Sequence, residues 1–141
     1  MIGRAHHVGI AVKRLDDGLA LYRTLGLEAD SVEEVPTEGV RVAFLRMGGV
    51  RIELLESLRA DGVIARFIDR RGEGIHHLAF ATDDIRGLMK RLRAAGLDLV
   101  DSEPRRGAHG RLVAFVHPRS AHGVLLELVQ DDGGSGSPSA Q

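Results

Sequence analysis

Four short segments of this chain occur twice, and the repeated positions include the residues best able to do chemistry. His6-His7-Val8-Gly9 is answered by His76-His77-Leu78-Ala79, and Val50-Arg51-Ile52-Glu53-Leu54-Leu55 by Val124-Leu125-Leu126-Glu127-Leu128-Val129. Gly26-Leu27 recurs as Gly96-Leu97, and Val42-Ala43-Phe44-Leu45 as Val113-Ala114-Phe115-Val116. Each half opens with histidine and closes with glutamate, both in apolar strand-like runs. A carboxylate among Ile52, Leu54 and Leu55, or among Leu125, Leu126 and Leu128, is costly to bury unless it is paired or ligates a metal. A pseudo-twofold pairing of the halves would bring two His and two Glu to one place, a donor set for a divalent cation. Two imidazoles and two carboxylates suit Co, Mn, Ni, Fe or Zn, with positions left for water or substrate. Side chains alternate along a strand, so His6 opposes His7 and His76 opposes His77. The doublets do not say which member of each would bind.

The elements that must position these residues follow from periodicity. Residues 4–12 read as a strand. Leu15, Leu19 and Tyr22 then share one helix face, with Tyr22 expected in the core, Asp16 or Asp17 as the cap and Gly26 as the stop. Strands are expected over 28–35, 41–47 and 50–56, the last two joined at Gly48-Gly49. The second half repeats this order. A strand at 75–82 precedes a helix carrying Ile85, Leu88, Met89 and Leu92, capped by Asp83 or Asp84 and ended by Gly96. Strands near 98–102, 111–117 and 123–130 follow. Val63, Ile64, Phe67 and Ile68 mark a linking helix.

One module of this size buries too little apolar surface to stand alone, whereas two together suffice. The expected fold is α+β: two β-α-β-β-β modules in a pseudo-twofold arrangement, forming a cup-shaped, mostly antiparallel sheet around a metal site. It forms a single domain over 1–130, with module one at about 4–57, the linking helix at about 61–71 and module two at about 74–130. The tail, 131–141, is Gly- and Ser-rich without apolar anchors and reads as disordered.

Composition removes several function classes. The 141 residues carry a formal net charge of −1, which gives no general attraction to nucleic acid or membrane surfaces. One Tyr and no Trp disfavour a base-stacking surface. No apolar run approaches the ~20 residues of a membrane span, and the first residues lack signal-peptide architecture. The absence of cysteine excludes disulfides, thiolate nucleophiles and Cys-ligated zinc. A cytoplasmic protein is expected, with no nucleic-acid or membrane partner.

Over residues 4–130 the chain resembles the vicinal oxygen chelate (glyoxalase/bleomycin resistance/dioxygenase) superfamily, and within it the methylmalonyl-CoA epimerases. The resemblance rests on His6-His7-Val8-Gly9-Ile10-Ala11-Val12, on Gly72-Glu73-Gly74-Ile75-His76-His77-Leu78-Ala79-Phe80, on Glu103-Pro104-Arg105-Arg106-Gly107, and on His117-Pro118-Arg119-Ser120 running into Gly123-Val124-Leu125-Leu126-Glu127-Leu128. It implies that His7 and His77, the second members of their doublets, ligate the metal with Glu127. Glu53 completes the set at a position that is Gln in some members. It further implies a divalent ion, cobalt first and Mn, Ni, Zn or Fe(II) as alternatives. An acyl-CoA substrate, a homodimer and a place in propionate metabolism are implied as well.

The implied reaction interconverts the C2 epimers of methylmalonyl-CoA through a metal-stabilised enolate. One group takes the C2 proton and another returns it. Some similar epimerases carry a carboxylate on the third strand, where this chain has Val42, so Glu127 and Glu53 are the acid/base candidates. Arg105, Arg106 and Arg111 are candidates for the CoA phosphates, and His117 for another substrate contact. The four ligands alone do not separate this reading from glyoxalase I (lactoylglutathione lyase). The segments around His77 and His117 favour the epimerase. A non-catalytic small-molecule-binding member of the superfamily is the remaining alternative. Extradiol dioxygenase chemistry is disfavoured because Glu53 would crowd its iron site.

Overall fold

The computed structural model describes residues 1–131 and contains three α-helices and eight strands. In chain order these are β1 (Ile2–Ala11), α1 (Leu15–Thr24), β2 (Ala29–Val35), β3 (Val40–Met47), β4 (Val50–Ser57), α2 (Val63–Arg71), β5 (Gly74–Thr82), α3 (Ile85–Ala94), β6 (Arg105–Arg106), β7 (Leu112–Val116) and β8 (Leu126–Gln130). The α+β class and the two successive β-α-β-β-β modules expected from the repeat are both present. By contacts the chain divides into two compact units: His7–His76, and Met1–His6 together with the described residues from His77 onward. The division cuts β1 and β5 at their histidine doublets. The first residues of β1 therefore belong with the second module.

In the His7–His76 unit the strands run in the order β2-β3-β4-β1. The β2–β3 and β3–β4 pairings are antiparallel, and β1 pairs with β4 in parallel. Alternation gives this sheet two distinct faces. Ala43, Leu45 and Leu54 turn toward α1 and pack on Val12 and Leu15, with Leu19, Tyr22 and Ile52 at the margin. Tyr22 thus lies against the core, as its helical spacing predicts. The helix sits so near β4 that a Cβ added at Gly18 would lie 3.1 Å from Leu54 Cδ1. Gly26 follows α1 at φ +94°, the left-handed geometry that glycine accepts without strain.

The other unit orders its strands β1-β5-β8-β7-β6. The start of β1 lies beside the end of β5, where Thr82 Oγ1 donates to the Met1 carbonyl at 3.0 Å. β5 pairs with β8 in parallel, while β7–β8 and β6–β7 are antiparallel. Ile85, Leu88 and Met89 of α3 pack on Ala114, Val116 and Leu128. On the opposite face, Ala79, Val113 and Val129 form a smaller apolar cluster.

Three expectations need correction. α1 begins at Leu15 with Arg14 at the N-cap and no side-chain cap, while Asp16 and Asp17 occupy its first turn. Acidic groups are favoured there by the helix dipole as well as at the cap, so residue type alone misplaced the boundary. In α3 the expectation holds: Asp84 Oδ1 accepts from Gly87 N at 3.0 Å. Secondly, residues 98–102 form no strand. That stretch touches β7 at the isolated Leu99–Val116 bridge, and only Arg105–Arg106 forms a ladder. Pro104 has no N–H to give, and Asp101 Oδ2 accepts the Phe115 N–H at 2.8 Å in place of a backbone carbonyl.

Thirdly, Asp131, the start of the expected tail, is anchored. Its N–H donates to the Thr82 carbonyl at 3.0 Å and its carboxylate pairs with Arg4. Partial burial alone would raise its pKa. The Arg4 hydrogen bond and charge, with the charges of Arg111 and His6, outweigh burial and hold the carboxyl below the ordinary range. The remainder of the expected tail, 132–141, lies outside the described residues. Among the described residues no helix is long and apolar enough to cross a membrane.

Candidate metal centre

Each unit builds one buried imidazole–carboxylate pair by the same device. In the first, the parallel β1–β4 ladder sets Gly9 opposite Glu53. Residues opposite one another share a face, and so do residues two apart on one strand. His7 therefore lies on the Glu53 face, diagonal to it, and His6 does not. Gly9 has no side chain to fill the space beside the carboxylate, and His7 Nδ1 reaches Glu53 Oε2 at 3.0 Å. In the second, β5–β8 sets Ala79 opposite Glu127. His77, two residues earlier, brings Nε2 to 2.9 Å from Glu127 Oε1. All four side chains are buried, none more than 9% exposed as residues.

The register thus resolves, within each unit, which histidine of the doublet accompanies the glutamate. His6 is buried as well. His76 meets the Phe67 ring of α2 edge to face, with centroids 4.9 Å apart. Imidazole and carboxylate at hydrogen-bond distance, in a setting with little water, are a fitting donor set for a divalent transition ion. Each pair contributes one nitrogen and one oxygen ligand atom.

Val42 shares the face that carries Glu53, opposite Leu55 on β4 and Glu33 on β2, and is 2% exposed. It is an apolar wall without a transferable proton. The proposed CoA contacts lie around the β6–β7 turn. The Arg105 guanidinium pairs with Asp101 and lies over the Phe115 ring, 5.4 Å from its centroid. Arg106 Nη1 donates to the Gly110 carbonyl at 2.7 Å. Arg111 accepts at its carbonyl from Gly107 N at 2.8 Å, and its charge reaches Asp131. His117 Nδ1 accepts from Arg119 N at 3.1 Å in the turn after β7.

Two residues without a role in the sequence reading stand next to the His77–Glu127 pair. Phe115 is the ladder partner of Glu127 and meets the His77 ring edge to face at 5.9 Å. Asp101 holds the Phe115 backbone. A buried-type carboxylate between Leu99, Val100 and Pro104 was the available signal for Asp101, of the same kind that singled out Glu53.

Comparison with known proteins agrees with this geometry. Residues 6–115 match the Glyoxalase/Bleomycin resistance protein/Dioxygenase superfamily. The chain is 42% identical over 133 residues to the ethylmalonyl-CoA/methylmalonyl-CoA epimerase of Cereibacter sphaeroides, covering 92% of this chain and 99% of that one. Among solved structures it is similar to the methylmalonyl-CoA epimerase of Mycobacterium tuberculosis, with TM-score 0.86 and 39% identity over 92% of this chain and 88% of that one. It is also similar to a methylmalonyl-CoA epimerase in complex with methylmalonyl-CoA and NH4+, with TM-score 0.88 and 36% identity over 94% and 97%. Set beside two buried His–Glu pairs on equivalent strands, these relationships establish that the chain belongs to the glyoxalase/bleomycin resistance/dioxygenase superfamily and, within it, to the methylmalonyl-CoA epimerases, a family of isomerases.

Proposed function

We propose that this protein interconverts the two C2 epimers of methylmalonyl-CoA, with His7, Glu53, His77 and Glu127 holding one divalent ion within a single domain. The observation that carries the reading is the duplicated pair: a buried His–Glu contact of 3.0 Å in one module and of 2.9 Å in the other. The ion, cobalt first among the candidates, supplies Lewis-acid stabilisation of the negative charge that develops as the C2 proton leaves. The chain's own groups do the proton transfer. Of the two carboxylates, Glu127 serves one face of C2 and Glu53 the other, each taking the proton in one direction and returning it in the reverse. Val42 leaves the transfer to these two. Arg105, Arg106, Arg111 and His117 are offered to the CoA portion and the acyl group. The exposed Val32 on β2, the outermost strand of its sheet, supports assembly as a homodimer.

The test is C2 hydrogen exchange with solvent deuterium on purified protein of measured metal content. Wild type is expected to bind one ion per chain and to exchange and epimerise both substrates. Glu127→Gln is expected to slow epimerisation by about 10²- to 10⁴-fold and to end exchange from one epimer with metal still bound. Wild-type exchange of both epimers in that variant would remove Glu127 from the mechanism. Turnover of the methylglyoxal–glutathione hemithioacetal, with none of methylmalonyl-CoA, would assign the chain to glyoxalase chemistry instead.

A further inference from the structure

We propose that Asp101 and Arg105 are positioning residues for the His77 imidazole, acting through the ring of Phe115. The proposal rests on His77 serving the centre described above. Asp101 is a nearly buried carboxylate, its side chain 10% exposed, and it has two partners. Oδ2 accepts from Phe115 N at 2.8 Å, and Oδ1 takes the Arg105 guanidinium. That guanidinium lies over the Phe115 ring, 5.4 Å from the centroid. The ring in turn stands perpendicular to His77, at an interplanar angle of 88° and a centroid distance of 5.9 Å.

Each contact constrains the next. A cation over an aromatic face is attracted by the ring quadrupole and resists rotation of the ring. An edge-to-face pair prefers one relative orientation, so a fixed Phe115 favours one setting of the imidazole. Asp101 fixes the guanidinium by a charge-assisted hydrogen bond and pins the backbone from which the ring springs. Arg93 Nη2 steadies the same segment by donating to the carbonyls of Asp101 and Ser102 at 3.0 and 2.6 Å. Ligand imidazoles held in one orientation by their neighbours bind metal more tightly than loose ones. Arg105 thus has two structural partners, the Asp101 carboxylate and the Phe115 ring, a task beside the phosphate contact its sequence position suggested.

The test compares Arg105→Gln, Asp101→Asn and Arg105→Lys with wild type by two readouts. The first is the ring 15N and 1H resonances of His77 in metal-free protein, with the His7 ring as an internal control. The second is cobalt affinity, followed by visible absorption. Arg105→Gln removes the cation over the ring and leaves Asp101 charged, whereas Asp101→Asn keeps Arg105 and removes the charge that holds it, so loss of folding in one variant leaves the other informative. Both are expected to shift and broaden the His77 signals while His7 stays in place, and to weaken cobalt binding by about tenfold, the lower range for losing a ligand's outer support. Arg105→Lys keeps a cation over the ring and a partner for Asp101, and is expected to restore most of both. Unchanged His77 signals in Arg105→Gln and Asp101→Asn would overturn the proposal, as would equal disturbance of His7 and His77. If wild type takes up no cobalt, the metal centre itself falls, and the His77 signals still decide the positioning role.

Discussion

In the first module β2 runs for seven residues beside β3, with Ser31 opposite Phe44. In the second, the corresponding stretch reaches β7 through one bridge at Leu99, through Val100 N donating to the Phe115 carbonyl at 2.8 Å, and through the Asp101 carboxylate on the Phe115 N–H. Phe44 and Phe115 are equivalent by the repeat, and each is the ladder partner of its module's glutamate. The inner strands kept the same register, small residue opposite glutamate and histidine two positions earlier, while the outermost strand diverged. A side chain replaced part of a ladder, which freed backbone geometry near the site for the Asp101–Arg105 pair. Duplication thus supplied the shared donors, and divergence supplied what distinguishes their surroundings. Even the imidazoles differ: His7 turns Nδ1 to its glutamate and His77 turns Nε2.

Four experiments bear on how far the two modules are equivalent. The largest effect is expected from the glutamates. Glu53→Gln and Glu127→Gln should each slow epimerisation by about 10²- to 10⁴-fold, the usual worth of a positioned acid or base. Each variant should retain exchange from the epimer that the other variant loses. Loss of the same epimer in both would show that one module alone does the proton transfer. Next come the equivalent core leucines. Leu54 and Leu128 are fully buried under their helices, and truncation of either to Ala should cost about 2–5 kcal/mol in denaturant titrations. A much smaller loss in one would mark that module's core as able to collapse around the gap.

Helix starts should show a smaller, opposite-signed pair of effects. Asp84→Ala removes the cap of α3 and should cost about 1 kcal/mol, whereas Arg14→Ser gives α1 the cap it lacks and should gain a similar amount. Thermal midpoints read both. The smallest effect is expected at Asp131, whose partner Arg4 is half exposed. Its folded-state pKa lies below the unfolded one, so its contribution is present above the unfolded pKa and fades as pH falls through the folded value. Asp131→Asn should therefore cost less than about 1 kcal/mol at neutral pH, a limit set by solvent screening of such pairs. The difference from wild type should vanish in acid.

The repeat made the two modules, the helix faces, the two histidine doublets and the two glutamates readable from residue order, because those depend on local period and on polar residues misplaced in apolar runs. The residues themselves left the choice within each histidine doublet open, and only the family resemblance pointed to His7 and His77. That choice depends on how β1 registers against β4 and β5 against β8, and Gly9 and Ala79 become meaningful only once they stand opposite Glu53 and Glu127. The lost strand near 98–102 escaped for a related reason. Leu97, Leu99 and Val100 have a strand's composition, but whether a backbone N–H is met by a carbonyl or by the Asp101 side chain is a tertiary choice. The contacts of Arg105 with Asp101 and Phe115 escaped as well, because a cation's neighbours across the sheet are invisible in its sequence context.

The division of β1 between the units carries a consequence for biosynthesis. Residues 7–76 are contiguous, so that unit has every residue it needs once the ribosome has passed α2 and the start of β5. The other unit is discontinuous: its sheet includes residues 2–6, made before the whole of the first unit, beside strands completed only at Gln130. Vectorial synthesis therefore leaves residues 2–6 waiting while residues 7–76 are made and folded. They are synthesised ahead of that unit and find their partners after it.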